Sequence, residues 1–141
     1  MLYGISLLYG LSATVSPALV NVANGGTSYR LSGAGKISGG AMLNKSGFGI
    51  LTVATANDFT NGTTILEGTV RVGHDAALGT GPITLNEEGA LLYFPVLSSD
   101  GSTPRTLGNG LTFAGTATVG DLVSEVGNAR IWGGLHYRSS N

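Results

Sequence analysis

Cysteine is missing altogether from this chain of 141 residues. Its absence excludes disulfides, thiolate nucleophiles and cysteine-ligated zinc, so packing and backbone hydrogen bonds must hold the fold. Proline is scarce, at 4 residues, which excludes a collagen-like chain or a proline-rich linker. Charge is scarce too: Asp, Glu, Lys and Arg make up 11% of the chain, against about 25% in ordinary soluble domains. The 7 basic and 8 acidic residues are scattered and leave a net charge of −1. No basic cluster exists to follow a phosphate backbone, which argues against nucleic acid as a partner. Long apolar runs are also missing. The most apolar stretch, Met1 to Leu11, is interrupted by Gly4 and Gly10 and is too short to span a membrane. It lacks the basic residues that open a signal peptide. Two readings of residues 1–18 stay open, a buried strand pair and a signal peptide.

What is abundant is glycine, with 24 residues, well above the usual share of about 7%. With it come Thr, Ser and Asn, and a hydrophobic content of 42%, too high for a disordered chain. Short segments recur in which apolar residues flank a small or polar one: Val20-Asn21-Val22, Tyr29-Arg30-Leu31, Leu51-Thr52-Val53, Val70-Arg71-Val72, Ile83-Thr84-Leu85 and Leu111-Thr112-Phe113. A period of two is the mark of a strand with one buried face. Between the segments lie Asn24-Gly25-Gly26, Gly39-Gly40, Asn61-Gly62, Glu67-Gly68, Gly79-Thr80-Gly81 and Asn109-Gly110, where glycine and asparagine supply positive φ at low steric cost. No helical pattern separates the segments, which argues against a doubly wound α/β fold. Short strands with frequent turns fit either an antiparallel sandwich or a parallel β-helix. The scarcity of charge on both faces suits stacked coils, where like residues lie about 4.8 Å apart.

Residues 45–86 carry a more specific pattern. It starts at Lys45-Ser46-Gly47-Phe48-Gly49, passes through Leu51-Thr52-Val53 and Asn57-Asp58-Phe59-Thr60-Asn61-Gly62-Thr63-Thr64, and reaches Glu67-Gly68-Thr69 and Ala77-Leu78-Gly79-Thr80-Gly81. This run closely resembles the autotransporter-associated β-strand repeat of bacterial passenger proteins. Asp58-Phe59 stands where the family usually has Thr-Tyr, and Asn61 where it has glycine. Residues 20–44 resemble the segment that precedes such a repeat, and 105–120 the start of a weaker one. The resemblance implies an all-β chain, a right-handed parallel β-helix (solenoid), secreted or held at the bacterial cell surface or outer membrane as stalk or scaffold. One coil cannot bury its own apolar face, so each needs neighbours. With coils of about 20–25 residues, Leu51, Val53, Ile65, Val70, Val72, Ile83 and Leu85 are expected to point inward and stack, with glycines at the corners.

The end of the chain reads differently, which divides it into repeats over 1–120 and a short tail over 121–141. Asp121 to Arg130 suits a short helix capped by Asp121. Arg130-Ile131-Trp132-Gly133-Gly134-Leu135-His136 then resembles the last motif of vanadium-dependent haloperoxidases and related phosphatidic-acid-phosphatase-type enzymes. The resemblance implies that Arg130 grips an oxyanion while His136 binds vanadium or attacks phosphorus, with vanadate as cofactor. It covers about fifteen residues. The serine of the family's Ser-Gly-His motif is missing at Val72-Gly73-His74, and Ser140 stands where an aspartate often follows. The competing reading is a capping helix bearing an exposed Arg and His.

Other motifs fail on chemistry. Gly33-Ala34-Gly35-Lys36-Ile37-Ser38 lacks both the earlier glycine and the hydroxyl of a phosphate loop. His74-Asp75 supplies two metal ligands where more are needed. Glu87 and Glu88, adjacent on a strand, would face opposite ways. Asn44-Lys45-Ser46 and Asn61-Gly62-Thr63 match a glycosylation acceptor that means little in a bacterial protein. The reading that follows is a structural display segment or adhesin, without catalysis or cofactor. Its expected partners are further repeats and a host surface or glycan, with no membrane span in this chain. The alternative is a fragment of a fused haloperoxidase-like enzyme using Arg130 and His136.

Overall fold

Alternating apolar and polar residues make each short segment a strand with one face that must be covered, and consecutive segments cover one another by stacking. The computed structural model describes residues 7–86, 95–103, 105–120, 122–126, 129–131 and 135–138; for 7–9, 116, 118 and 120, and from 122 onward, it describes the backbone alone. Every regular element among the described residues is a strand. In chain order these are β1 (Leu7–Gly10), β2 (Thr14–Val15) and β3 (Leu19–Ala23), then β4 (Tyr29–Ser32), β5 (Lys36–Ile37) and β6 (Met42–Ser46). There follow β7 (Ile50–Val53) with β8 (Thr63–Ile65), and β9 (Thr69–Val72) with β10 (Ile83–Asn86). After them come β11 (Val96–Ser99), β12 (Arg105–Leu107) and β13 (Leu111–Ala114). The last four are β14 (Thr116–Gly120), β15 (Leu122–Val126), β16 (Ala129–Ile131) and β17 (Leu135–Arg138).

These strands form a parallel β-solenoid. A seven-stranded sheet runs β1-β4-β7-β9-β11-β14-β17 and a five-stranded sheet runs β13-β10-β8-β6-β3, with smaller sheets β12-β15-β16 and β2-β5. All pairings up to β14 are parallel, and each joins a strand to one a full circuit away. The step per circuit varies more than an even 20–25 residues. It is 19 from Leu51 to Val70 and 27 from Val70 to Leu97.

Strict register turns the inward positions into columns. Tyr29, Leu51, Val70, Leu97 and Val119 stack in the seven-stranded sheet. Opposite them stand Val20, Leu43, Thr63, Ile83 and Leu111, beside a column of Val22, Lys45, Ile65, Leu85 and Phe113. Leu51, Val53, Ile65, Val70, Val72, Ile83 and Leu85 all lose their whole accessible surface, each burial contributing about 1.5–3 kcal/mol. Phe59, Ala77 and Leu78 fill the space where the chain turns between sheets. On the outside, Thr52 lies between Arg30 and Arg71, so these two like charges do not sit on adjacent strands.

The tail departs from expectation. The helix read over 121–130 is not formed: the described part of that segment is strand, β15 pairing parallel with β12 and antiparallel with β16. Asp121, Gly127 and Asn128 lie outside the described residues. A helix of ten residues is marginal on its own. The edge of β12 offers ready partners for the backbone of Leu122, Val123 and Ser124, and Val123 and Val126 have high β propensity. The chain then reverses, and β17 lies antiparallel on β14.

Candidate functional site

Inward columns of aliphatic residues leave little room for chemistry, so the places where polar groups enter the interior stand out. The first is a corner built by β6, β9 and the turns beside them. Alternation from Leu43 places Lys45 inward, between Val22 and Ile65, and its side chain is fully buried. The ammonium donates to the carbonyls of Ser46 (2.7 Å) and Gly47 (2.5 Å). Glu67, one circuit on, accepts from Gly47 N at 3.0 Å. The turn 46–47 is thereby held from both sides, its carbonyls by a cation and its amide by a carboxylate. Burial lowers the pKa of Lys45 from 10.5 to about 8, against the opposing pull of the Glu67 charge.

That shift has a measurable consequence. Between pH 8 and 10.5 the folded chain has lost the Lys45 proton while the unfolded chain keeps it. The unfolded state binds more protons there, so stability rises with pH across the window, by up to about 1.4 kcal/mol per unit. A neutral amine still carries two N–H groups for the two carbonyls. Urea unfolding of wild type minus Lys45→Met is expected to climb through this window. A flat or falling difference would show that the buried ammonium carries no such cost.

Asparagine amides form the second polar motif. Asn57, 3% exposed, accepts from Ile37 N (2.8 Å) and Thr55 Oγ1 (3.0 Å) and donates to Thr55 O (3.2 Å) and Ala77 O (2.6 Å). It therefore bridges the coils before and after its own. Asn109 donates to Leu78, Gly79 and Gly81 carbonyls, and Asn24 to Thr27 and Ile50 carbonyls. Each satisfies carbonyls that the turn removes from the strand ladders.

A cavity of about 420 Å³ lies between β3 and the β4–β7 pair, lined by Val20, Asn21, Val22, Ala23, Tyr29, Leu31 and Leu51. Its size is in the range of small-molecule sites, yet its lining has no titratable group except Tyr29 and no convergent set of polar side chains for catalysis.

The residues singled out from the sequence fall in separate places. Lys36 Nζ is bound to Asp58 Oδ2 at 2.7 Å, and that bond, with one from Ser38, holds the Asp58 carboxyl below its usual range. His74 Nδ1 accepts from Ala76 N at 2.9 Å, and Asp75 Oδ1 from Thr106 N at 3.1 Å. The first bond shapes the local turn, and the second ties that turn to β12 in the following coil. Among the described residues no three His, Asp or Glu side chains gather as a metal site would need. Glu87 and Glu88 lie outside the described residues. Arg130 is on β16, opposite Glu125, and His136 on β17, opposite Thr118; the two strands belong to different sheets, and the side chains of both lie outside the described residues. No helix among the described residues is long and apolar enough to cross a membrane. Lys45 was legible as inward from the alternation Leu43-Asn44-Lys45, but lysine chemistry points the other way. No family model, curated protein or solved structure matches the chain.

Proposed function

We propose that this chain is a structural display segment of a secreted, autotransporter-type bacterial passenger protein or adhesin, working as a spacer and presenting its outer faces to a host surface or glycan. The observation that carries the proposal is the set of in-register columns: from one circuit to the next the interior is filled mostly by aliphatic side chains, with Tyr29, Lys45, Thr63 and Phe113 the exceptions within them. A stack of this kind extends by adding coils. The resemblance of residues 45–86 to the passenger repeat supports the same reading. The outer column Asn21, Asn44, Thr64, Thr84 and Thr112 supplies hydrogen-bonding groups without charge, which suits a hydroxylated partner.

The test is display. The chain is placed between a secretion signal and a β-barrel translocator, and its exposure on intact cells is read by antibody binding and protease shaving. Folded, protease-resistant chain at the surface is the expected result. Retention and degradation inside the envelope would sink the proposal. Purified protein is assayed in parallel with vanadate and a chromogenic phosphate ester. Turnover that disappears in His136→Ala would replace the structural reading by the oxyanion-handling one.

A further inference from the structure

The chain contains three Asn-Gly pairs, at 24–25, 61–62 and 109–110, and the fold treats them very differently. Asparagine followed by glycine is chemically fragile, because no Cβ on the next residue hinders attack by its backbone nitrogen on the side-chain amide. Asn24 and Asn109 are 2% and 4% exposed. Their Nδ2 groups are tied to two and three backbone carbonyls respectively. Loss of ammonia there breaks those bonds in a site closed to water. Asn61 is exposed, and its Nδ2 makes one bond, to Gly40 O at 2.9 Å. The neighbouring Gly62 has φ +91°. Its carbonyl accepts from Leu43 N, while its N–H has no hydrogen-bond partner among the described residues. Gly62 is itself buried, with Pro82 packed beside it, while a Cβ on Gly81 would lie against the Gly62 nitrogen, so glycine at 81 leaves open the space beside that nitrogen.

We propose that Asn61 is a site of spontaneous covalent modification in the folded protein, its side-chain amide being lost through a succinimide formed with Gly62. The Gly62 nitrogen gives its proton to hydroxide or a buffer base and attacks Asn61 Cγ. The N–Cγ bond forms, the Cγ–Nδ2 bond breaks, and Nδ2 leaves with a proton as ammonia. Water then opens the ring at either carbonyl, giving aspartate or isoaspartate. Nothing is oxidised or reduced; one water enters and one ammonia departs. The product cannot donate to Gly40 O, and its carboxylate instead faces that carbonyl. Isoaspartate also adds a methylene between the bonds from Asn61 N to Ala41 O and from Leu43 N to Gly62 O. Those two bonds tie this corner to the preceding coil, so the register of β8 against β6 is what the modification disturbs.

The experiment is incubation of the whole chain in mildly alkaline buffer, followed by peptide mapping by mass spectrometry, with hydroxylamine cleavage to reveal the succinimide. Folded protein is expected to convert at Asn61 at least about tenfold faster than at Asn24 or Asn109, since those two react only through local opening. In denaturant all three are expected to convert at similar rates. Hydroxylamine is expected to cut between 61 and 62, and Asn61→Gln to abolish both the cut and the mass change at this corner. Equal rates at the three sites in folded protein would overturn the proposal. So would an unmodified Asn61 in folded protein under conditions where the denatured chain reacts.

Discussion

Gly68→Ala is expected to destabilise the chain by about 3 kcal/mol or more, read as a lower urea midpoint at unchanged slope. Two costs add. Gly68 has φ +76°, a conformation that costs an L-residue about 1–2 kcal/mol. A Cβ there would also lie against Gly47 O, 2.7 Å from Gly49 O and 2.8 Å from Lys45 Nζ. Two of those three contacts are with backbone, which cannot swing aside, so the coil above must shift, at about 1–3 kcal/mol. The lysine end could move, but only by giving up the carbonyls of Ser46 and Gly47 that it holds. Gly101→Ala separates the two costs. Gly101 has φ +88° with nothing within 4 Å of an added Cβ, so only the conformational part, about 1 kcal/mol, is expected. Equal losses in the two variants would mean that crowding between coils contributes nothing and that the corner can relax.

The contrast bears on how much of the fold could be read beforehand. The strands at 51–53, 70–72 and 83–85 announce themselves, because alternation and β-branched residues agree and nothing competes. Turn positions are equally plain from glycine. What the pattern does not carry is the role of particular polar residues inside the stack. Lys45 continues an alternation that began with Leu43, yet a lone lysine reads as solvent-facing, since burying a charge costs free energy unless partners are supplied. Its partners are carbonyls of its own turn and a glutamate one circuit later, a set that depends on the register between coils. The asparagines at 24 and 109 read as suppliers of positive φ. In the structure the positive φ among these turns belongs to glycines such as Gly47, Gly62 and Gly79, while the asparagines contribute their amides. The tail shows the opposite failure. Asp121 to Arg130 has a capping residue and a plausible helical composition, but the open edge of β12 decides for strand. An edge is a property of the assembled sheet and leaves no local trace.

The variation in coil length fits the same physics. A solenoid tolerates inserted residues only where they leave the ladders alone. Most of the additional residues in the circuit from Val70 to Leu97 come after Asn86 and before Val96 in the chain, and the inward columns pass on unbroken through Leu97 and Val119. Residue choice is therefore strict at the columns and at the crowded glycine corners, and loose between them. That division would suit the proposed display role, since segments between strands can vary in a solenoid without loss of its ladders.

Replacing Asn57 is the sharpest probe of how coils are joined at their corners. Asn57→Ala leaves Ile37 N and Ala77 O without their partners on either side of the coil. A buried group left unsatisfied costs about 1–3 kcal/mol, so the pair is expected to cost about 4 kcal/mol, again by urea unfolding. Asn57→Asp keeps the shape and still accepts from Ile37 N and Thr55 Oγ1, but turns a carboxylate oxygen toward Ala77 O and Thr55 O, where the amide nitrogen donates. At neutral pH it is expected to be worse than alanine, because a charge 3% exposed faces two carbonyls. Acid should reverse the order: a protonated carboxyl donates one hydrogen bond, so the aspartate variant regains stability relative to the alanine variant as pH falls. An alanine variant within about 1 kcal/mol of wild type would mean that water replaces the amide and that the aliphatic columns alone set the register. A full loss together with the acid crossover would place the specificity of coil-to-coil stacking in these buried amides, with the columns supplying only the bulk of the free energy.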